Sequence, residues 1–449
     1  MQNGSVRTHA TIARRARIAG CALALATLAA PAFAQQGSTF WVAGGGAADP
    51  KIKDWKAGAQ LRTLYFDQSP ETGLDSEAWA AGGWVYGQSP YFFDLLSFGA
   101  TGYGSLPLWK GEDAAATNMI QPNGNGIAVF GEAFARLQYA RQGITLYRQI
   151  VDPRYPVAGG VRANRADLAF VGKRDVRMVP LTYEAAMASG TLIDSLRYFA
   201  GYVWNVKDIN SENFISMSEK AGGIGTDEGM WMGGVQWAPI KDLWLQGWYH
   251  YVQDTLTMTF VDADYVNRPS KEWYWRLGTQ YAHQGSTGAD LLTGSSFSTW
   301  NWGAYAETGW KFLKGYGAYS TTGDGANIRT PYSKGPLYIT QRIKDFTRAG
   351  EDAWLIGGTI DLGAVGLTGL SFDMNASLDS TAGTNPSTGL ANPKWREYDY
   401  DLIYRFGKDT WFDGMRVRLR YATLNEDYGT HTDKTTDFRV DLNWAVPFF

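Results

Sequence analysis

The chain contains about eighteen short segments in which apolar and polar residues alternate, and a period of two is typical of half-buried β-strands. The connections between them alternate in length: turns such as 140–143 and 239–242 are short, whereas loops such as 151–181 and 322–352 are long and rich in Gly, Asp, Asn and Ser. Short turns at one end and long loops at the other are the plan of a transmembrane antiparallel β-barrel, so we predict an all-β barrel of about 18 strands. The predicted strands are 56–66, 77–87, 91–104, 127–139, 143–150, 182–189, 194–206, 230–238, 243–252, 255–266, 272–282, 301–311, 314–321, 353–362, 370–378, 397–406, 415–423 and 436–448.

Residue composition agrees with this fold. The chain has 53 Gly, 19 Trp, 25 Tyr and 21 Phe, with a mean hydropathy of −0.28. After residue 34 it has no run of about 20 apolar residues, so no membrane-spanning helix is expected there. An extracellular carbohydrate-binding β-sandwich would have a similar composition. A sandwich does not require the alternation of short and long connections, which therefore favours the barrel.

The first residues have the features of a secretory signal peptide. Arg14, Arg15 and Arg17 precede an apolar run at 18–30, and an A-x-A pattern ends at Ala34. We predict cleavage of residues 1–34, then a short periplasmic segment at 35–55 and the barrel at 56–449. Removing the four arginines of the signal peptide from the 41 basic residues leaves 37 against 44 acidic residues, a net charge of −7. This charge argues against nucleic acid as a partner.

Three arginines, Arg416, Arg418 and Arg420, alternate with apolar residues between Gly414 and Ala422. On a strand they share one face. Facing lipid near the midplane of the bilayer, each would cost about 2–4 kcal/mol. We therefore expect them to face a water-filled lumen, with the apolar residues against lipid.

Two interpretations of this arginine row stay open. Cross-strand pairs with aspartates could neutralise it, or it could be a functional basic track that extends to other strands. In the second interpretation, acidic residues form an opposing wall, and the field between the walls orients dipolar solutes. The predicted basic track is Arg62, Arg416, Arg418, Arg420 and Arg439, and the predicted opposing acidic wall is Asp399, Asp401, Asp437 and Asp441.

The long segment 151–180 is the predicted constriction. A loop of this length is usually functional or disordered. Its apolar residues, such as Val161, Phe170 and Val171, favour packing inside the lumen over disorder. The charged residues predicted to line the narrow point are Arg162, Arg165, Arg174, Arg177 and Asp167.

Several stretches resemble the OprD-type substrate-specific porins of Gram-negative outer membranes. They are LYRQIVDPRYP (146–156), RDVRMVPLTYE (174–184), LLTGSSFSTW (291–300), STTGDG (320–325), FTRAGEDAW (346–354) and the last hairpin, GMRVRLRYATLNED with FRVDLNW. The resemblance extends from about Lys56 to the C-terminus. It implies an 18-stranded barrel with a folded-in third loop and a basic ladder that guides carboxylate-bearing solutes. That ladder would fall on Arg416, Arg418 and Arg439, with Arg62 as a further member.

Enzyme chemistry is not indicated. The three histidines after residue 34, His250, His283 and His431, lack metal-ligand spacing, and we predict neither metal nor cofactor. The predicted function is a passive, substrate-selective porin for small anionic or zwitterionic solutes such as amino acids, peptides and organic acids. Its expected surroundings are the lipid and lipopolysaccharide of a Gram-negative outer membrane, as a monomer or loose trimer. The alternative is a surface adhesin or carbohydrate-binding barrel with a plugged lumen.

Overall fold

A computed structural model of the chain describes residues 51–151, 169–333, 335–380, 384, 389, 391–408 and 410–448. Within these residues the chain forms nineteen strands. They are β1 (Lys56–Pro70), β2 (Ser76–Gln88), β3 (Leu96–Lys110), β4 (Ile127–Tyr139), β5 (Gln142–Gln149), β6 (Thr182–Ile193), β7 (Leu196–Lys207), β8 (Phe214–Ser216), β9 (Met230–Trp237), β10 (Leu243–Val252), β11 (Leu256–Asn267), β12 (Trp273–Gly285), β13 (Ser298–Trp310), β14 (Leu313–Thr322), β15 (Asp352–Asp361), β16 (Leu370–Asp379), β17 (Lys394–Arg405), β18 (Met415–Asp427) and β19 (Thr432–Pro447).

Eighteen of these strands form a closed antiparallel barrel. Each strand pairs with its neighbours in sequence, and β1 closes the ring by pairing with β19 as well as β2. The exception is β8, which pairs only with the end of β7, so that β7 continues the ring to β9. Closure leaves no unpaired edge within the ring, as a membrane-spanning sheet requires. The predicted barrel is confirmed, and β8 is an additional strand.

The alternation of residues along the strands separates two faces. On β18, Leu419 lies opposite Leu402 and Val440, whereas Arg418 lies opposite Asp441. The outer face carries exposed apolar side chains around the barrel, among them Leu61, Val85, Leu106, Trp231, Leu277, Trp302 and Ile356. Polar side chains line the inside. This is the arrangement that a lipid exterior and a wet interior impose.

The connections at the two ends of the barrel differ in length. At one end the turns are short, for example 140–141, 194–195 and 311–312. At the other end the connections 150–181, 208–229 and 323–351 are long. The 208–229 connection contains β8 and a short helix, α1 (Met217–Ala221), whose N-terminus is capped by Ser216. In the part of the chain that the structure describes, no helix is long and apolar enough to cross a membrane.

The buried apolar residues lie inside the barrel, where long connections fold back into the lumen. One cluster joins Phe170 and Val171 to Phe260 of β11 and to Tyr332. A second cluster joins Met178 and Val179 to strands β1 to β4. The lumen is therefore narrowed by packed loops.

Candidate functional site

The first inward loop is the connection 150–181, of which residues 150–151 and 169–181 are described. The ring of Phe170 packs edge-on against Phe260 of β11, with 6.2 Å between centroids. A few residues later, Asp175 binds Arg62 of β1. Strands β1 and β11 are nine positions apart in either direction around the barrel. The segment 169–181 therefore crosses the lumen, as the sequence analysis predicted for this loop.

Arg62 fastens this loop to the barrel wall. Its Nη1 donates to Asp175 Oδ1 at 2.6 Å and to the carbonyl oxygen of Arg177 at 2.5 Å, and its Nε donates to Asn443 Oδ1 at 2.6 Å. Burial disfavours the charge on Asp175, but the Arg62 guanidinium outweighs this effect and holds the pKa of the carboxyl at about 2. Arg62 is thus largely occupied in holding the loop.

A second inward loop, 323–351, was not predicted. Its Tyr338 stacks on Tyr305 of β13, with ring centroids 5.3 Å apart. Its Arg342 donates from Nη2 to Asp401 of β17 at 2.8 Å, and the backbone N–H groups of residues 343 and 344 donate to Glu397 at 2.7 and 2.9 Å. The loop therefore brings an additional guanidinium to the lumen wall.

The two inward loops are bonded to each other. Val171 and Tyr332 form a parallel bridge, and the N–H of Gly172 donates to the carbonyl oxygen of Tyr332 at 3.1 Å. The buried hydroxyl of Tyr183 lies 2.6 Å from the same carbonyl oxygen and 2.7 Å from that of Gly172. The Tyr332 hydroxyl in turn donates to the carbonyl oxygen of Met217 in α1 at 2.6 Å. The loops form one packed unit.

The predicted arginine row faces the lumen and shares few carboxylates. Arg416 Nη2 lies 2.9 Å from Asp441 Oδ1. Asp401 accepts hydrogen bonds from Arg418 and, at 3.1 Å, from Arg420, besides that from Arg342. One carboxylate thus serves three guanidiniums, and it cannot neutralise them.

The guanidiniums of Arg439 and Arg177 both lie over the Phe66 ring, 4.5 and 4.8 Å from its centroid. Arg439 donates to Asp437 at 2.6 Å. Arg177 donates only to carbonyl oxygens among the described residues, and it pairs with no carboxylate there. Burial, together with the charge of Arg439, lowers the pKa of Arg177 well below its ordinary value. A guanidinium stays protonated in proteins, so Arg177 keeps its charge. Its lowered pKa therefore marks a positive charge without a negative partner beside it.

The strand arginines and both inward loops enclose a cavity of about 400 Å³. This volume suits a small solute. Polar side chains of Asn118, Ser333, Gln341 and Asn443 complete the lining. The arginines that line it are Arg62, Arg174, Arg177, Arg342, Arg416, Arg418, Arg420 and Arg439.

The predicted opposing acidic wall is wrong in its position. Asp441 lies directly across from Arg418 and Asp401 across from Arg420, so the acids are interleaved with the arginines. Asp437 also lies beside an arginine, since it pairs with Arg439 of its own strand. Asp399 lies 3.9 Å from Arg342. Cross-strand pairs are therefore present in part of the row, and they leave positive charge uncompensated.

A different group of acids forms a separate sector of the lumen wall. The hydroxyls of Tyr274 and Tyr305 donate to the two oxygens of Glu307, at 2.8 and 2.5 Å. Tyr316 donates to Asp373 at 3.0 Å. These strands, β12 to β16, precede β17 around the ring, so the sector is contiguous with the basic one rather than opposite to it.

Of the predicted loop residues, Arg174 and Arg177 line the cavity. Arg162, Arg165 and Asp167 lie outside the described residues. Arg342 lines the cavity as well and was not predicted from the sequence. A signal for it existed, because Leu337, Tyr338, Ile339 and Phe346 give the loop the same apolar character that marked the first inward loop. Among the described residues, no group of three or more His, Cys, Asp or Glu side chains could hold a metal ion.

Comparison with known proteins agrees with this architecture. A family model described as outer membrane porin, OprD family, matches residues 51–448. Among solved structures, Pseudomonas aeruginosa OpdK with vanillate has a TM-score of 0.74 at 16% identity, covering 89% of this chain and 100% of that one. Pseudomonas aeruginosa OccK9 (OpdG) has a TM-score of 0.75 at 18% identity, with 89% and 100% covered. Acinetobacter baumannii OccAB1 has a TM-score of 0.76 at 16% identity, with 90% and 99% covered. Among curated proteins, no sequence match was found.

Proposed function

Because the chain belongs to the OprD family of outer-membrane porins, we propose that it conducts small carboxylate-bearing solutes along its lumenal arginines by passive diffusion. Proteins of this family are transport channels of Gram-negative outer membranes, with lipid outside and small solutes inside the barrel. The further steps of the proposal are the carboxylate preference and the residues that produce it.

The observation that carries the proposal is the sharing of Asp401 by three guanidiniums, beside a cavity that both inward loops line. An anionic solute can supply the missing negative charge. The side chain of Arg416 is 38% exposed and that of Arg418 is 24% exposed, so a solute can reach them. A similar fold, that of OpdK, was solved with vanillate, which is itself a carboxylate.

The spacing of the row suits stepwise passage. Strand residues two apart are separated by about 6.6–6.8 Å. A carboxylate can therefore contact the next guanidinium before it leaves the previous one, and weak binding at several sites permits fast conduction. A guanidinium fits this role because its planar fork matches a carboxylate and its charge does not depend on pH.

The test is replacement of Arg416 and Arg418 together by Gln. We expect an assembled barrel with slower carboxylate uptake in liposomes, a smaller change for neutral solutes, and an ion selectivity shifted toward cations. The selectivity is measured as reversal potential in planar bilayers under a salt gradient. Arg141→Gln is the matched control, because Arg141 pairs with Asp194 at the short-turn end.

An unchanged reversal potential together with unchanged carboxylate flux in the double variant would remove the strand row from the mechanism. The loop residues Arg174, Arg177 and Arg342 would then be the next candidates.

The remaining predictions belong to the same proposal. We propose that residues 1–34 are a cleaved signal peptide and that residues 35–55 lie in the periplasm before the barrel. The alternative function, an adhesin or carbohydrate-binding barrel with a plugged lumen, predicts no single-channel conductance. Membership of a porin family disfavours it.

A further inference from the structure

We propose that the cavity between the inward loops and the strand arginines prefers solutes with two carboxylates over solutes with one. This inference rests on the proposed function, because it specifies the class of anion that the same site takes. It follows from the charge balance of the cavity, from unsatisfied guanidinium groups and from the placement of arginines on both loop and strand.

The cavity has more positive than negative side chains. The eight arginines that line the cavity face six aspartates that either line it or pair with those arginines: Asp175, Asp345, Asp399, Asp401, Asp437 and Asp441. Two positive charges remain in excess. Residues 152–168 carry three arginines and two aspartates, so their composition adds no net negative charge. A single carboxylate would leave one cation uncompensated, whereas a dianion neutralises both.

Unsatisfied donors point to the same conclusion. The Nε–H groups of Arg342 and Arg439 have no hydrogen-bond partner among the described residues, although these side chains lie in residues only 8% and 4% exposed. The Nε–H groups of Arg174, Arg416 and Arg418 are likewise buried and unsatisfied there. Leaving such a donor unsatisfied costs about 1–3 kcal/mol, more for a charged group. These Nε–H groups are themselves covered, so an anionic ligand lowers that cost through the negative charge that it adds beside the guanidiniums rather than by contact with Nε.

The arginines also come from different elements. Arg174 and Arg177 belong to the first inward loop, Arg342 to the second, and Arg418 and Arg420 to β18. A solute with carboxylates at both ends can contact a loop guanidinium and a strand guanidinium at once. The cavity of about 400 Å³ accommodates a short dicarboxylate.

The experiment uses three probes of nearly equal size that differ in charge: succinate, succinamate and succinamide. Each is added to the full-length protein in planar bilayers at constant ionic strength and at a pH where all carboxyl groups are ionised. The measured quantity is the concentration that halves the single-channel current. We expect succinate to act at a concentration about tenfold lower than succinamate, as one additional ion pair implies, and succinamide to act weakest.

The outcomes separate the two proposals. Equal potency of succinate and succinamate, both stronger than succinamide, overturns the preference for two carboxylates and leaves the carboxylate channel intact. Equal potency of all three probes overturns the proposed function itself. Methyl phosphate is added as a fourth probe because it carries both charges on one group. A stronger block by methyl phosphate than by succinate overturns the assignment to two separate carboxylates.

The double variant Arg174→Gln with Arg177→Gln locates the second contact. We expect the ratio of succinamate to succinate half-blocking concentrations to fall toward one, while block by succinamate persists through the strand arginines. Arg141→Gln, remote from the cavity, should keep the wild-type ratio. If the double variant assembles and the ratio of half-blocking concentrations is unchanged, the contact with the loop arginines is overturned. If it does not assemble, the comparison of probes on the unaltered chain decides the proposal.

Discussion

Two arginine–aspartate pairs in the lumen have nearly the same closest distance and different surroundings. Arg276 and Asp264 lie 2.7 Å apart, and both side chains are 3% exposed. Arg416 and Asp441 lie 2.9 Å apart, with side chains 38% and 12% exposed. In the first pair, the Arg276 guanidinium lies over the ring of Tyr305, 5.0 Å from its centroid, and that ring stacks on Tyr338 of the second inward loop. The second pair borders the cavity.

This difference shows that a lumen-facing arginine is not by itself part of a solute pathway. Arg276, like Arg416, lies on the lumen face of its strand. An inward loop covers it, however, and Asp264 neutralises its charge. Arg416 keeps contact with the cavity because neither loop seals it. Access, which the loops determine, distinguishes a covered ion pair from the arginines that we propose as translocation residues.

The largest expected effect tests this distinction directly. Asp264→Ala leaves a buried guanidinium without its partner, which should lower the free energy of unfolding by about 3–5 kcal/mol. Asp441→Ala should cost about 1 kcal/mol or less, because Arg416 remains hydrated. Urea unfolding in lipid vesicles, followed by gel mobility of heated and unheated samples, measures both changes.

Ion selectivity should change more in the Asp441 variant than in the Asp264 variant, which is the reverse of their order in stability loss. Asp441→Ala adds net positive charge beside the cavity and should shift the reversal potential toward anions, whereas Asp264→Ala should not. Equal destabilisation by the two variants would show that the two pairs do not differ in burial as the structure describes.

A second, somewhat smaller effect compares the lumen side of β18 with its lipid side. Leu419→Arg places a charge against lipid and should cost about 2–4 kcal/mol near the midplane. Arg418→Leu should leave the barrel assembled, since an apolar residue facing water carries little penalty. Assembly yield and heat-modifiable mobility report the difference. Equal assembly of the two variants would contradict the assigned faces of this strand.

The smallest effect concerns the pair of intermediate exposure, Arg62 with Asp175, whose side chains are 9% and 22% exposed. The pKa of Asp175 is lowered from 3.8 to about 2. Its carboxylate therefore stabilises the folded loop fully above pH 3.8, and this contribution is lost as the pH falls through about 2. We expect a change of up to about 2 kcal/mol in the anchoring of the first inward loop, since each unit of pKa shift corresponds to about 1.4 kcal/mol.

Hydrogen exchange of residues 169–181 at several pH values measures that anchoring. Asp175→Asn should be weakly protected at all of them and should lose the acid dependence. Acid dependence that persists in this variant would assign the effect to another group.

The strands could be predicted from the sequence because a strand between lipid and water needs apolar and polar residues at alternate positions. The eighteen predicted segments correspond to the eighteen strands of the ring, and β1 begins at Lys56. The additional β8 was missed because its three residues are too few to show a period. The lumenal orientation of Arg416, Arg418 and Arg420 followed from the same pattern.

The pairing of charges could not be predicted in the same way. Which acid lies beside Arg418 depends on the register of three strands, and no single strand's pattern contains that register. Arg342 was missed for a related reason, since a loop residue has no parity and its position depends on tertiary packing. The apolar residues around it carried the available information, and the same criterion applied to both long loops would have indicated a second inward loop.

The hydrogen bonds between the inward loops limit how such a pore can be re-engineered. Residues 150–181 grafted into another pore would arrive without the Tyr332 carbonyl oxygen that accepts from the Gly172 N–H, and without the Tyr183 hydroxyl of β6 that bonds to the carbonyl oxygens of both residues. A graft of residues 323–351 alone would break the Val171 bridge from the other side. Loop exchange between pores of this type should therefore move both segments together, so that the two inward loops are transferred as a single cassette.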